Sequence, residues 1–361
     1  MKATLLKALE EGVEPLTTIP RDAAWIVDAM AILQVTKTTT NMTYSELASA
    51  VFNGITRGTQ PDGRIDWVVD VYPEISIKNV ERDRRSAAAS GSLTTKIRTG
   101  AQKVDQQLKK SLRSGAFKAA LTQFLLQEWS SKKYASRLEK QALFVTAGDQ
   151  CFRLKANDGM TEVIKAEVAG LRCTQEEADT RMLLNAAHTA DHGAPGVVIK
   201  SPDSDVAVIA LSVSHQIKTQ LIFRTGTQHR TRYLDLTAIG QRLGQEVCSA
   251  LPGYHAFSGC DSTSAFTGRG KVSGFKLLKE DELFRSTMAG IGQSFNMSAD
   301  QLAKGEKAIC SLYGEKPHTS VNDVRHRVNV AYLDIKAAFD SIDRRALWKA
   351  CLLYTSPSPR D

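Results

Sequence analysis

The 361-residue sequence predicts an α/β fold with a mostly parallel sheet flanked by helices. Three short apolar runs carry this reading, and each closes on an acid. AAWIVD (23–28) ends at Asp28, IDWVVD (65–70) at Asp70, and GVVIKSPDSD (196–205) at Asp203 and Asp205. Continuous runs rich in β-branched residues fit strands covered on both faces, and the stretches between them have helical spacing. Ligands of such sheets bind at the carboxyl ends of strands, so acids at three strand ends are expected to converge on one place.

Taken in order, residues 1–22 read as a lead-in, followed by the first two strands. Between 78 and 140 stand fifteen Lys or Arg against five acids, with helical spacing, which reads as a basic helical insertion over about 86–141. ALFVTAG (142–148) is a further strand. CTQEEADTRMLLNAAHTA (173–190) has a threonine cap, acids in its first turn and apolar periodicity, and so reads as a helix. TQLIFRT (219–225) is another strand, and helices fill 233–250 and much of 275–313. The expected organisation is a core over 23–275 and a helical extension over 276–325.

Composition narrows the function class. Apolar residues at 42% and charged residues at 24% exclude wholesale disorder. No apolar run approaches the roughly 18 residues of a spanning helix, and MKATLLKALEEGVEP carries acids where a signal peptide is apolar. No membrane partner is expected, and the location reads as intracellular, with the nucleus among the options. Six dispersed cysteines without a C-x-x-C pair indicate neither a zinc site nor a disulfide framework. A net charge of +8 and a pI near 9.1 favour a polyanionic partner.

Clustered carboxylates at strand ends bind hard divalent cations, and two such ions can promote phosphodiester hydrolysis. The acids occur in an order that resembles the PIN and flap-endonuclease (XPG-type) superfamily, over about residues 23–275. Asp28 in WIVDAMAIL resembles the first acid of that family. Asp70 in WVVDVYPEISIKNVERDRR resembles the second, followed by the basic cluster Lys78, Arg82, Arg84 and Arg85. Glu177 and Asp179 in EEADT resemble the paired acids that open a helix, with Glu176 as an alternative to Glu177 on helical spacing. Asp203 and Asp205 in SPDSDV resemble the D-x-D, and Asp261 in FSGCDSTSAFTGRGK the acid of a G-x-D turn. Gly268 and Gly270 match a G-x-G whose amides approach a phosphate, with Lys271 beside it.

The resemblance implies a nuclease with seven metal-holding and catalytic carboxylates, one or two Mg²⁺ or Mn²⁺ ions, and DNA or RNA as partner. Val71 departs from the glycine usual after the second acid. SPDSDV and GCDSTSAFTGRGK also resemble a group of animal mobile-element-like proteins with this core. A second reading is a PIN-like nucleic-acid-binding or structural module that keeps its acids without efficient catalysis. His255, beside the Asp261 turn, reads as a packing or hydrogen-bonding residue, because hard-cation sites prefer oxygen. Further on, VNVAYLDIKAAFDSIDRRALWKA resembles the first catalytic motif of LINE-type reverse transcriptases, with Asp334 at its metal position and Phe339 and Asp340 following. The final CLLYTSPSPRD (351–361) resembles a translated sequencing adapter, so 326–361 is set apart from the fold.

Overall fold

The structure is a computed structural model that describes residues 2–57, 59, 63–72, 96–105, 107–226, 230–260, 263–294, 298–315 and 319–328. The reverse-transcriptase-like motif and the final segment lie outside the described residues, apart from the backbone of 326–328.

In chain order the elements are α1 (Lys2–Glu10), β1 (Ala24–Asp28), α2 (Ala29–Val35), α3 (Tyr44–Thr56), β2 (Gly63–Val68), α4 (Leu108–Ser111), α5 (Gly115–Trp129), β3 (Gln141–Ala147), β4 (Gln150–Ala156), β5 (Val163–Glu167), α6 (Ala178–Asp191), β6 (Gly196–Lys200), α7 (Ser204–Val213), β7 (Gln220–Thr225), β8 (Arg232–Asp235), α8 (Leu236–Leu243), α9 (Gln245–Phe257), α10 (Lys271–Glu280), α11 (Glu282–Gly290), α12 (Ala299–Leu312) and α13 (Val321–Val328). They group into two compact units. One holds residues 15–202 and 217–234; the other holds 1–14, 203–216 and 235–361.

The first unit contains the eight-stranded sheet, in the order β5-β4-β3-β2-β1-β6-β7-β8. Strands β3, β2, β1, β6 and β7 run parallel to one another, while β3, β4 and β5 form an antiparallel meander. The sheet is therefore mixed and mostly parallel. The parallel strands are the apolar runs seen in the sequence. Strands β4 and β5 have no such run: β4 mixes buried and exposed residues, and β5, at the sheet edge, has no buried residue. Gly148 at φ 60° makes the tight β3–β4 turn, a conformation that favours glycine.

One sheet face is covered by α3 and α5. Trp67 packs edge-on to Trp129, and Phe52 packs against Trp129 and Tyr134. Phe117, Leu121, Leu125 and Trp129 recur every four residues along α5 and are all buried in this core. The segment read as a basic insertion is therefore, over 115–129, part of the core wall, with its basic residues on the outer side or in the flanking turns. α6 lies on the sheet at β1, β2 and β6.

The second unit is helical. Its packing rests on buried residues such as Leu5 and Leu9 of α1, Tyr254 and Phe257 of α9, Phe275 of α10 and Phe284 of α11. The unit joins 235–275 to the helices that follow, across the boundary expected at 275. No described helix is long and apolar enough to cross a membrane.

Candidate metal and nucleic-acid site

Within the sheet unit, β1 and β2 run parallel with Asp28 opposite Val68, so Asp28 closes one strand and Asp70 lies just past the end of the next. Asp28 also caps α2. Its Oδ1 accepts the amides of Met30 at 2.9 Å and Ala31 at 3.2 Å, and its Oδ2 accepts the Ser201 hydroxyl at 3.3 Å. Asp70 accepts the first amide of α6, that of Ala178, at 2.9 Å on Oδ1, and the Tyr72 hydroxyl at 3.2 Å on Oδ2. A backbone bond from Val71 to the Glu176 carbonyl, 2.9 Å, secures the same junction. Glu177 is the N-cap residue of α6, with extended backbone, and Asp179 is in its first turn. Four of the seven acids thus belong to this unit, two at adjacent strand ends and two on a helix start bonded to one of them.

Neither Asp28 nor Asp70 has a Lys or Arg against it among the described residues; their partners are neutral donors. Burial raises the Asp28 carboxyl above the ordinary range and the charge of Asp70 pushes the same way, while the amides of Ala31 and Met30 and the Ser201 hydroxyl oppose them. Two like charges set together without a cation, on a donor set of carboxylate oxygens, fit a hard divalent ion. As the side chains stand, no three His, Cys, Asp or Glu residues among the described ones are grouped to share an ion.

The helical unit holds Asp203 and Asp205. Asp203 caps α7, its Oδ1 accepting the Asp205 amide at 3.0 Å. Asp205 Oδ1 lies 3.3 Å from His255 Nε2, a contact that the sequence reading did not anticipate. Asp261 lies outside the described residues, as do Lys78, Arg82, Arg84 and Arg85.

Gly268, at φ 68°, and Gly270, the N-cap of α10, both have open space where a Cβ would stand, which leaves room for close approach to their backbone. Lys271 departs from its expected role. It is only 3% exposed, and its Nζ donates to Ser258 Oγ at 2.9 Å and the His255 carbonyl at 3.0 Å. The ammonium is turned inward as a tie between α10 and α9, not outward toward a phosphate.

His188, in the last turn of α6, and His192, its C-cap, stand four residues apart. Their rings stack at 4.0 Å, and His188 Nδ1 meets Arg64 Nη1 at 2.9 Å.

No protein-family model matches the chain, and no curated protein matches it. Among solved structures, the chain is similar to the catalytic core of Rad2 in complex with DNA substrate. That comparison has a TM-score of 0.37 and 12% identity, and covers 94% of this chain and 81% of the other. It is also similar to the T5 D15 protein co-crystallised with metal ions, again with a TM-score of 0.37 and 12% identity, covering 92% of this chain and 99% of that one.

Proposed function

We propose that the chain is a divalent-cation-dependent nuclease that hydrolyses phosphodiester bonds in nucleic acid. The observation that carries this reading is the pair Asp28 and Asp70, partly buried at the ends of adjacent parallel strands with only neutral hydrogen-bond donors for partners. A fold that leaves two like charges together bears a cost that a bound cation offsets. The order of acids along the sequence supports the same reading. Within the sheet unit it adds Glu177 and Asp179 as further ligands.

In the proposed reaction, water oxygen bonds to phosphorus and one ester P–O bond breaks, leaving a phosphomonoester and a free hydroxyl. Bound Mg²⁺ or Mn²⁺ supplies activation of the water and neutralisation of charge on the leaving oxygen. Asp28 and Asp70 are held in position through the α2 and α6 amides. Gly268 and Gly270 leave backbone open to a phosphate.

The test is incubation with labelled single-stranded, flap and duplex DNA and with RNA, in Mg²⁺, in Mn²⁺ and in chelator. Cleavage that needs the ion and disappears in Asp28→Asn and Asp70→Asn supports the proposal; a folded wild type that cuts none of the substrates overturns it. The second reading, a nucleic-acid-binding module without catalysis, is favoured by the lack of a ready three-ligand group among the described residues. Metal-independent binding without cleavage is its signature.

A further inference from the structure

We propose that Lys200 and Arg224 form a binding pair for one backbone phosphate of a nucleic-acid strand. The inference rests on the reading of the chain as a protein that takes nucleic acid.

The pair is created by strand register. β6 and β7 are parallel neighbours with Lys200 opposite Arg224, so the two side chains leave the same sheet face, on backbones roughly 4.8 Å apart. Two residues back, Val198 and Ile222 are in the core cluster beneath α3 and α5, so Lys200 and Arg224 stand at the carboxyl rim of that face. On its other side Lys200 is the register partner of Val27, the residue before Asp28. The two cations therefore stand at the end of the sheet where the Asp28 strand also ends.

Other withdrawn cations of the protein have oxygen partners. Arg64 is paired with Asp66, Arg181 donates to the Gly148 and Gln150 carbonyls, and Lys271 donates to Ser258. Lys200 and Arg224 are half-buried side by side, and among the described residues no carboxylate pairs with either. Among the described residues, the buried Arg224 Nε has no hydrogen-bond partner. Burial, and then the charge of Arg224, push the Lys200 ammonium down to about 8. An anion set between them removes that repulsion and satisfies the Nε. A guanidinium beside an ammonium suits phosphate in particular, the first giving directed paired donors and the second a mobile charge. A diester phosphate is the anion that a substrate strand brings.

The test uses K200M/R224M and the charge-keeping K200R/R224K. Affinity for a labelled oligothymidylate is measured across salt concentrations in chelator, and the melting temperature with and without inorganic phosphate. K200M/R224M is expected to lower the log–log salt slope by about 0.7, the value for one lost phosphate contact on a single strand, and to weaken binding about tenfold. Phosphate should raise the melting temperature of the wild type and of K200R/R224K but not that of K200M/R224M. Should K200M/R224M fail to fold, K200M and R224M taken singly carry the same reading, each with a slope change of at most about 0.7.

A folded methionine pair with wild-type slope and affinity overturns the proposal, even if phosphate alone still shifts the wild type. The nuclease reading fails separately. A wild type that binds through this pair but cuts nothing sinks nuclease activity and leaves the phosphate pair standing, whereas cleavage with a slope indifferent to the pair does the reverse.

Discussion

The segment that includes β2 carries two aspartates, Asp66 and Asp70, that the fold treats in opposite ways. Asp66 is fully buried and paired twice over with Arg64, Nε to Oδ1 at 2.8 Å and Nη2 to Oδ2 at 2.9 Å, while Asn185 of α6 donates to Oδ2 at 3.0 Å. Arg64 is held in turn by the Phe144 ring, 3.8 Å from its centroid, and by His188. Asp70, past the strand end, has an amide and a phenol for partners and lies close enough to Asp28 to disfavour its charge. In this segment the fully buried aspartate is neutralised by an arginine. The charge that we assign to function is left with neutral donors at the carboxyl edge, where an ion or a substrate can complete it.

This contrast breaks most directly at Asp66. Asp66→Ala strands the Arg64 guanidinium in the interior and is expected to destabilise the protein by about 3–5 kcal/mol. Urea unfolding reads the change, and a loss below about 1 kcal/mol would mean that the pair is dispensable.

Lys271 sharpens the same point in the helical unit. Lys271→Met removes a buried tie to Ser258 and His255 and should cost about 1–3 kcal/mol. Its salt slope for oligonucleotide binding should match the wild type. A flattened slope would return Lys271 to the phosphate-binding role that its sequence position suggests.

The opposite sign is expected at Asp28. Asp28→Asn keeps the cap acceptor and discards a charge that burial and Asp70 disfavour, so stability at neutral pH should rise. A carboxyl raised in the folded state binds more protons there than in the unfolded chain. Its destabilising contribution is therefore absent below the unfolded value and complete above the raised one. The gap between variant and wild type should accordingly close as pH falls below the carboxylate range. Mn²⁺ should lift the melting temperature of the wild type more than that of the variant, and equal shifts in both would remove Asp28 from the ligand set.

The smallest effect belongs to His188, whose ring burial, with Arg64 and His192, pushes down to about 4, against a weaker upward pull from Asp191. A depressed histidine contributes stability above its unfolded value of 6.5 and loses it as pH falls toward about 4. Because the ring is partly exposed, screening reduces that contribution to under about 1 kcal/mol. His188→Gln should flatten the stability profile between those limits, as thermal melts across the range would record.

The parallel strands were legible because burial on both faces demands an uninterrupted apolar run, as in AWIVD and GVVIK. QCFRLKA and VIKAE went unread because the outer strands of the antiparallel meander expose part of their length and mix charge into the run. Acids at strand ends were legible for a local reason: a chain that passes from strand to helix needs a cap, and Asp28 and Asp203 both supply one. That same local role is why the sequence could not separate capping from metal binding.

What the sequence determines by itself is therefore the set of core strands, the acids that follow them and the basic balance of the chain, all of which depend on neighbours within a few residues. Which charges are neutralised was decided only by tertiary structure. Arg64 and Asp66 are adjacent on one strand face, yet Asn185 and His188 reach them from a helix more than a hundred residues away. Lys271 turns inward because α9 places a carbonyl and a hydroxyl within its reach. Lys200 meets Arg224 through the register of two strands, and a shift of one residue would put the two on opposite faces of the sheet. Register and helix docking are set by contacts summed over the whole core, and no local pattern in the sequence encodes them.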